Sequence, residues 1–406
     1  MSIDYACPVL SADDAIHVAS ALAEDFARGA AERDRKRQLP FVQINRLSES
    51  GLLAITVPAE YGGADLPPSA VAEVIRILAT ADANIAQIPH SHFVYVNLLR
   101  TVGTPDQKTH YFTQLLSGAR IANAQAERNG KTAADVATTL TPSGTGFRID
   151  GTKYYCTGSL FADILAVLTV LEDPDGTTGL PGGQYIAFLP AHTPGVRIVD
   201  DWDAIGQRTT GSGTVFFDGV TVDPSQVVPR APAVNAPTGY GAFAQLLHTA
   251  IDVGIARGAR QTAAASARVC RRRWFDAGVD RATEDPLLIQ RFGELAVAVR
   301  AAEATLGYAG AAVDLATSAT PPDVEKAAEA SVSVATAKIL GDHAANDVAG
   351  ALFEVTGTRG TAGELNLDHF WRNARTHTVH DPIRWKYQHI GRAVLNGTPP
   401  PLHSAI

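Results

Sequence analysis

Apolar residues recur at helical spacing in the first third of the chain. Between residues 15 and 35 they return every three or four positions, as on the buried face of an amphipathic helix. Two further runs of this kind cover 69–82 and 93–99, and a glycine-containing loop at 51–63 precedes them. The pattern predicts an N-terminal region built from helices.

The pattern changes to the strand type after residue 120. Val, Thr, Tyr and Phe replace Ala and Leu, and clusters of Gly, Pro and Asp separate the apolar segments. The spacing predicts an antiparallel β region, closed enough to be a barrel or a sandwich. Its clearest strand-like segments are 163–171, 185–189 and 215–222.

Long helical patterns return after residue 238. They carry Ala, Ser or Gly on nearly every turn, so helix axes can approach closely in a bundle or an oligomer interface. The whole chain is therefore predicted to be an α+β protein with an α–β–α order. Its expected domains are an N-terminal helical domain (1–120), a central β domain (121–237) and a C-terminal helical domain (238–406).

Composition narrows the function. The chain has 406 residues, of which 46% are hydrophobic and 19% are charged, as in an ordinary globular protein. Its net charge of -8 argues against nucleic acid and anionic membranes as partners. No apolar run approaches the roughly 20 residues of a membrane helix. Three scattered cysteines and an acidic N-terminus without a signal-peptide core predict a cytoplasmic protein.

A C-terminal segment, RNARTHTVHDP (372–382), holds the most informative side chains. His377 and His380 stand three positions apart, beside Asp381. Histidine titrates nearest neutrality, so this segment is a candidate for moving protons. The alternative is a metal pair, but no HExxH, CxxC or acidic cluster in the sequence completes one. We therefore predict no metal.

Two segments of the β region place hydroxyls and glycines at strand ends. They read GTKYYCTGS (151–159) and WDAIGQRTTGSGTVFFDG (202–219), and EYGG (60–63) precedes them. In this order the segments resemble the acyl-CoA dehydrogenase superfamily, and the resemblance covers almost the whole chain. It implies an N-terminal helical domain, a central antiparallel β-barrel and a C-terminal four-helix bundle. The alternative is a generic β-barrel with glycine-rich turns.

The resemblance implies a flavin site. A hydroxyl at the position of Thr157 contacts the flavin near N5 in that superfamily, with Ser159 as its neighbour. Asn129, in AQAERNG (124–130), is expected at the polar edge of the ring, and Trp202 is expected to stack beside it. The alternatives are a turn residue for Asn129 and a core tryptophan for Trp202.

Three further residues are expected at flavin phosphates. Arg272 matches an arginine that reaches the flavin of a neighbouring subunit, and Gly357 and Arg359 lie in a glycine-rich turn. Their alternatives are a solvated basic helix face and a helix C-cap. Because superfamily members are commonly tetrameric, the resemblance also implies a homotetramer.

The C-terminal segment distinguishes between branches of the superfamily. Dehydrogenases commonly place a catalytic glutamate where this chain reads TVHD (378–381), although Asp252 lies in a helix that carries the base in a minority of them. The segment resembles instead a monooxygenase branch that includes dibenzothiophene and sulfone monooxygenases. PHSH (89–92) is the second match, and it points to His92 as an active-site residue.

That branch implies a two-component reaction. A separate NAD(P)H:flavin reductase would supply reduced FMN or reduced FAD, which reacts with O2 to give a C4a-hydroperoxyflavin. This species would oxygenate an aromatic heterocycle of the organosulfur or indole type. Thr157 would hold N5–H, His380 would position the peroxide, and His92 would orient the peroxide or the substrate. Alternatives are an FAD-dependent acyl-CoA dehydrogenase, an amine N-hydroxylase and a non-catalytic scaffold.

Overall fold

A computed structural model describes residues 7–132, 134–269, 274–403 and 405–406. The N-terminal region is helical, as predicted. The expected helix over 15–35 is two helices, because the chain leaves the helical conformation at Gly29. The helices are α1 (Ala12–Ala27), α2 (Ala30–Lys36), α3 (Phe41–Glu49), α4 (Pro68–Ala81), α5 (Ala83–Gln87), α6 (His90–Val102) and α7 (Pro105–Leu116).

Eight strands form one sheet. They are β1 (Ile121–Ala124), β2 (Thr139–Ser143), β3 (Gly146–Tyr154), β4 (Ile164–Leu171), β5 (Gln184–Pro190), β6 (Val196–Val199), β7 (Thr214–Val222) and β8 (Val227–Pro229). Their order is β6-β7-β3-β2-β4-β5-β8, and β1 also pairs with β4.

The sheet corrects the predicted barrel in two respects. Its path of paired strands ends at β6 and β8, so it is open. It is also mixed, because β1 and β2 both run parallel to β4, one after the other along the same edge. The apolar sequence of β4 agrees with this arrangement, because strands with parallel neighbours are usually buried. Strand β4 is buried almost throughout.

The C-terminal region contains three long helices that pack on one another. They are α9 (Tyr240–Val269), α10 (Pro286–Thr317) and α11 (Val324–Thr356). The shorter helices are α8 (Ala231–Val234), α12 (Asp368–Thr378) and α13 (Ile383–Asn396), of which α12 and α13 lie on α11. A fourth bundle helix is not evident among them, so the four-helix bundle stays a prediction. Within the described ranges, no helix is long and apolar enough to cross a membrane.

Helix α4 packs directly on α9 and joins the two helical regions. Gly254 of α9 makes this close approach possible. A Cβ at Gly254 would lie 2.4 Å from Cβ of Ala79 and 2.6 Å from the carbonyl oxygen of Arg76. The small residues that the sequence placed on α9 therefore bring this helix against α4.

We expect Gly254→Ala to lower the free energy of unfolding by about 1–3 kcal/mol, because the new methyl group overpacks the contact between α4 and α9. Gly350→Ala is the matched control. It also lies inside a long helix, but a Cβ there meets nothing within 4 Å. Urea unfolding should show Gly350→Ala to be neutral or up to about 1 kcal/mol more stable. Equal effects at both positions would contradict the close approach.

Candidate active site

A chain of hydroxyl groups lies beside the turn that follows β3. Oγ1 of Thr157 is 2.7 Å from Oγ of Ser212, which is 2.7 Å from Oγ1 of Thr210. Oγ1 of Thr210 donates to the carbonyl oxygen of Gln207 at 2.9 Å. Each hydroxyl has one proton. Because the carbonyl can only accept, Ser212 must donate to Thr210 and Thr157 must donate to Ser212. The lone pairs of Thr157 are left for another donor.

Several buried side chains have unpaired polar atoms, and Gln207 of the hydroxyl chain is among them. Oε1 of Gln87, Oδ1 of Asn123, both side-chain polar atoms of Gln207 and Oγ1 of Thr376 are buried without a hydrogen-bond partner among the described residues. A buried polar atom without a partner costs about 1–3 kcal/mol. These atoms need a ligand that offers both N–H and C=O groups, which the polar edge of a flavin ring does.

Local contacts bring together the segments that carry these atoms. A Cβ at Gly158 would lie 3.3 Å from the carbonyl oxygen of Ile88 and 3.6 Å from Cβ of Ala122, so the neighbours of Gln87 and Asn123 lie against the Thr157 turn. The backbone N–H of Gln207 donates to Oδ1 of Asn373, one turn before His377 on α12, at 2.7 Å. The segment 87–90 and helix α12 therefore connect the hydroxyl chain with the histidines.

Other predicted flavin residues have different surroundings. Trp202 is half-buried, and its Nε1 donates to the carbonyl oxygen of Gln207 at 2.7 Å, which places its ring beside the hydroxyl chain. Ser159 is buried, and its hydroxyl is 3.5 Å from the carbonyl oxygen of Gly211, so it points back to the protein. Asn129 lies on an exposed loop. The sequence analysis overlooked Asn123, whose side chain has the unpaired oxygen.

Gly357 and Arg359 lie in an exposed 3-10 turn at the end of α11. At 1.5 Å per residue, the turn begins roughly 28 Å along the helix axis from Lys338. No described contact joins either residue to the hydroxyl chain. Their role at a flavin phosphate stays a prediction. Arg272 lies outside the described residues, and its predicted role stays a prediction as well.

A buried network of charges and imidazoles connects three helices. Oδ2 of Asp252, on α9, accepts from Nζ of Lys338, on α11, at 2.7 Å. Oδ1 of Asp252 is 2.5 Å from Nδ1 of His377, on α12, whose Nε2 is 3.0 Å from Nδ1 of His248. Burial by itself would raise the pKa of Asp252, but Lys338 and His377 outweigh it and hold that pKa below its usual value. Asp252 therefore remains a carboxylate.

Two more histidine rings lie against His248. The ring of His90 stacks on it, with centroids 3.8 Å apart and an interplanar angle of 29°, and the ring of His380 is tilted by 36°, with its centroid 4.4 Å away. His380 is half exposed, so it lies at the solvent end of the cluster. The structure thus brings the predicted residue His380 together with His90, His248 and His377. Sequence reasoning missed His248, although its spacing to Asp252 puts both on one face of α9.

His92 does not join this cluster, and its catalytic role stays a prediction. Its Nε2 is 2.8 Å from the carbonyl oxygen of Leu53, and its Nδ1 accepts from the backbone N–H of Ile121 at 3.1 Å. Both ring nitrogens are therefore occupied by the backbone. Burial lowers the pKa of His92 to about 4, so the ring is neutral. Through these contacts His92 joins α6 to β1.

One set of side chains resembles a metal site. Among the residues that the structure describes, His248, His380 and Asp381 offer ligand atoms within 4.8 Å of one another. The carboxylate of Asp381 is already engaged, because its Oδ2 accepts from Nε2 of Gln245 at 2.8 Å and lies 3.2 Å from Nδ1 of His380. These contacts engage Oδ2 of Asp381 and Nδ1 of His380, and the expectation of no metal stays a prediction.

Three family models match the chain. They describe the N-terminal, middle and C-terminal domains of acyl-CoA dehydrogenases and cover residues 16–119, 122–220 and 246–385. A dibenzothiophene monooxygenase of Rhodococcus qingshengii is 34% identical over 402 residues, which are 96% of this chain and 94% of that protein.

Solved structures agree with these matches. The FMN-bound dibenzothiophene monooxygenase TdsC of Paenibacillus sp. A11-2 has a TM-score of 0.91 and 32% identity, over 97% of this chain and 100% of that one. The methanesulfinate monooxygenase MsuC of Pseudomonas fluorescens has a TM-score of 0.89 and 30% identity, over 96% and 99%. The chain belongs to the acyl-CoA dehydrogenase family, in the group that contains the dibenzothiophene monooxygenases. The predicted family is confirmed.

The buried histidines predict acid sensitivity. Burial lowers the pKa values of both His90 and His92 to about 4, whereas an unfolded histidine titrates near 6.5. Protons therefore bind the unfolded chain first, and stability that is present above pH 6.5 is lost as the pH falls towards 4. Each ring contributes about 3 kcal/mol to this loss.

His92→Gln should remove its part of the pH dependence, and at pH 7 it should cost about 1–3 kcal/mol because a backbone hydrogen bond is lost. Urea unfolding between pH 4 and 7 measures both effects. His17→Gln, an exposed histidine of α1, is the control and should leave the curve unchanged. An unchanged slope in His92→Gln would contradict the neutral, backbone-bonded ring.

Proposed function

We propose that the chain is a reduced-flavin-dependent monooxygenase that uses O2 and reduced FMN, with a separate reductase as the source of reduced flavin. The hydroxyl chain from Thr157 to Gln207 carries this proposal, because it leaves an acceptor where the superfamily places flavin N5. FMN-bound TdsC, and its complex with FMN and indole, support FMN as the cofactor and an aromatic heterocycle as the substrate. The polar groups of a flavin ring would also supply hydrogen-bond partners for the unpaired polar atoms near the hydroxyl chain.

When bound, reduced FMN supplies the electrons with which O2 delivers one oxygen atom to the substrate and leaves the other as water. The residues of the protein bind the flavin and the substrate and hold or move protons. Thr157 accepts from N5–H, and the amides of Gln87, Asn123 and Gln207 bond the polar edge of the ring. Trp202 covers one side. His380, at the open end of the histidine cluster, positions the reacting oxygen.

The direction of the hydroxyl chain favours the reduced cofactor. N5 of a reduced flavin carries a proton and donates, whereas N5 of an oxidised flavin accepts. Thr157 has already given its proton to Ser212, so it complements the reduced form only. The protein is therefore expected to take up reduced FMN and to bind oxidised FMN more weakly, as an oxygenase served by a separate reductase requires.

The contacts of the carboxylates argue against the dehydrogenase alternative. Asp252 is fully buried and held by Lys338 and His377, and Asp381 is held by Gln245. Neither is free to take a proton beside a thioester. The amine N-hydroxylase remains the second alternative, because no contact in the site distinguishes it.

Association into a homotetramer is part of the proposal. Large apolar side chains are exposed on two helices of the C-terminal region, and a subunit contact would cover them. In such an assembly Arg272, Gly357 and Arg359 would reach the flavin phosphate of a neighbouring subunit. The bounds of the three domains and the cytoplasmic location stay predictions. The exposed side chains are Val297, Tyr308 and Leu315 on α10 and Trp385, Val394 and Leu395 on α13.

Photoreduced FMN and 18O2 test the function without a reductase. Indole and dibenzothiophene should gain one labelled oxygen atom per turnover, as read by mass spectrometry. Formation of H2O2 alone with every aromatic compound would contradict an oxygenase. Bleaching of bound FAD by acyl-CoA thioesters, with an electron acceptor present, would restore the dehydrogenase.

Thr157→Val should weaken the binding of reduced FMN roughly tenfold, which corresponds to about 1.4 kcal/mol for a lost hydrogen bond, and should hardly change the binding of oxidised FMN. Ser212→Ala should reduce the preference for the reduced form, because the proton of Thr157 is then free to point at N5. Anaerobic fluorescence titrations measure both affinities. Thr221→Val, an exposed hydroxyl of β7, is the control. The same affinity ratio in all four proteins would contradict the oriented hydroxyl chain.

His380→Ala should lower product formation by at least about a hundredfold, the usual loss for a general acid or base, while the Kd of reduced FMN stays within about threefold. Oxygen should still be consumed, with H2O2 as the product. The control is His343→Gln, an exposed histidine of α11. Unchanged turnover in His380→Ala would remove this residue from the mechanism.

A further inference from the structure

The hydrogen bonds of the histidine cluster fix which nitrogens are left as acceptors. Carboxylates accept only, so the proton on His377 lies on Nδ1, towards Asp252. With this one ring proton on His377, its Nε2 accepts from Nδ1–H of His248. The remaining nitrogen of His248, Nε2, carries a lone pair. Burial lowers the pKa of His248 well below its usual value, which agrees with a neutral ring.

His90 also has one ring nitrogen left as an acceptor, because of a different hydrogen bond. Its Nε2 is 2.9 Å from the carbonyl oxygen of Ala244, so it must donate there and its Nδ1 is an acceptor. In the part of the chain that the structure describes, no residue donates to Nδ1 of His90 or to Nε2 of His248. Two stacked rings thus offer lone pairs at buried residues, and the ligand that suits them must bring a donor.

The surroundings of His248 leave its Nε2 for a ligand. The rings of His90 and His380 lie against the ring of His248, with centroids 3.8 Å and 4.4 Å away, and His377 takes Nδ1. The cluster shares helix α12 and the segment 87–90 with the hydroxyl chain, so a substrate at this nitrogen would lie between the flavin site and exposed His380. The charged and titratable groups that face the cluster are Asp252, Lys338, Asp342, Asp381 and Lys386.

We propose that His248 binds the hydroxyl of a phenol-type aromatic substrate and takes its proton, with His377 and Asp252 as positioning residues behind it. This inference rests on the proposed function and names its substrate class. Neither dibenzothiophene nor a sulfone carries such a donor. A phenol hydroxyl ionises near pH 10, as in tyrosine, and is acidic enough to transfer its proton to an imidazole that is backed by a carboxylate. An indole N–H is a far weaker acid and would only donate a hydrogen bond.

One proton moves and no electron does. The substrate O–H bond breaks, and an N–H bond forms at Nε2 of His248. The proton on Nδ1 of His248 passes to Nε2 of His377, whose positive charge then lies beside the carboxylate of Asp252. The phenolate that results is a better nucleophile towards an electrophilic oxygen atom than the phenol is. The proton returns to the product hydroxyl when it leaves, so the relay is reset.

Ionisation of a bound probe tests this without turnover. The probe is 4-nitrophenol, whose anion has its own absorption band. The protein is titrated with this probe at a pH below the pKa of the free probe. Oxidised FMN is present in both cuvettes, and the difference in absorbance is recorded. The phenolate band should appear on binding to the wild-type protein and to the control His343→Gln. His248→Gln should still bind the probe, because an amide can accept its hydrogen bond, but should show no band. A band of wild-type size in His248→Gln, or no band in the wild type, would overturn the proposal.

Asp252→Asn and His377→Gln examine the positioning residues. Each should shift the pH at which half of the bound probe is ionised upwards by at least one unit, with circular dichroism showing that the variant is folded. An unshifted profile in both would overturn the relay. 4-Nitroanisole, the methyl ether of the probe, shows how much the hydroxyl contributes to binding. The wild type should bind 4-nitrophenol at least tenfold more tightly than 4-nitroanisole, and equal affinities would overturn the substrate class.

A turnover comparison separates this inference from the proposed function. With photoreduced FMN, 2-naphthol should be oxygenated at least tenfold faster than 2-methoxynaphthalene by the wild type, and His248→Gln should lose that preference. If indole gains oxygen while naphthol has no advantage, the oxygenase stands and the phenol-type substrate falls. If the bound probe ionises but no aromatic compound gains oxygen, the oxygenase falls.

Discussion

The carboxylate of Asp252 is the group on which the C-terminal half of the site depends. A buried charge is tolerated only with a partner, and removal of one partner of a buried pair typically costs about 3–5 kcal/mol. Lys338 and His377 supply the partners from two other helices, so α9, α11 and α12 are held in one arrangement. The same contact places the proton on Nδ1 of His377, towards the carboxylate. An ion pair that organises helices therefore also sets the proton chemistry of the cluster.

On the β side of the site, a backbone carbonyl group sets the direction in which protons are donated. The backbone oxygen of Gln207 can only accept, and this fixes the proton direction along Thr210, Ser212 and Thr157. In the proposed site, the hydroxyl network ends in a lone pair for flavin N5, and the histidine network ends in lone pairs for a substrate. Both follow from counting donors and acceptors, and both give the site a preference for ligands that donate.

The histidines show what the local sequence can predict and what it cannot. PHSH (89–92) marks a segment near the site, but its two rings differ in what the backbone leaves free. His92 has both nitrogens bonded to main-chain atoms, whereas His90 keeps one and stacks on His248. Spacing along a helix predicts which face a side chain shares. It does not predict that a carbonyl of residue 53 and an N–H of residue 121 meet the same ring.

The sequence by itself determined the α–β–α order, the three long C-terminal helices, the main strands and the family, because these depend on periodicity and on short motifs that are local. Only the tertiary structure decided that the sheet is open, that Asn123 has a buried oxygen without a partner among the described residues, and that His90, His248, His377 and His380 gather. Asp252 and His377 are 125 positions apart. Contacts over such distances depend on how whole helices pack, which no local pattern encodes.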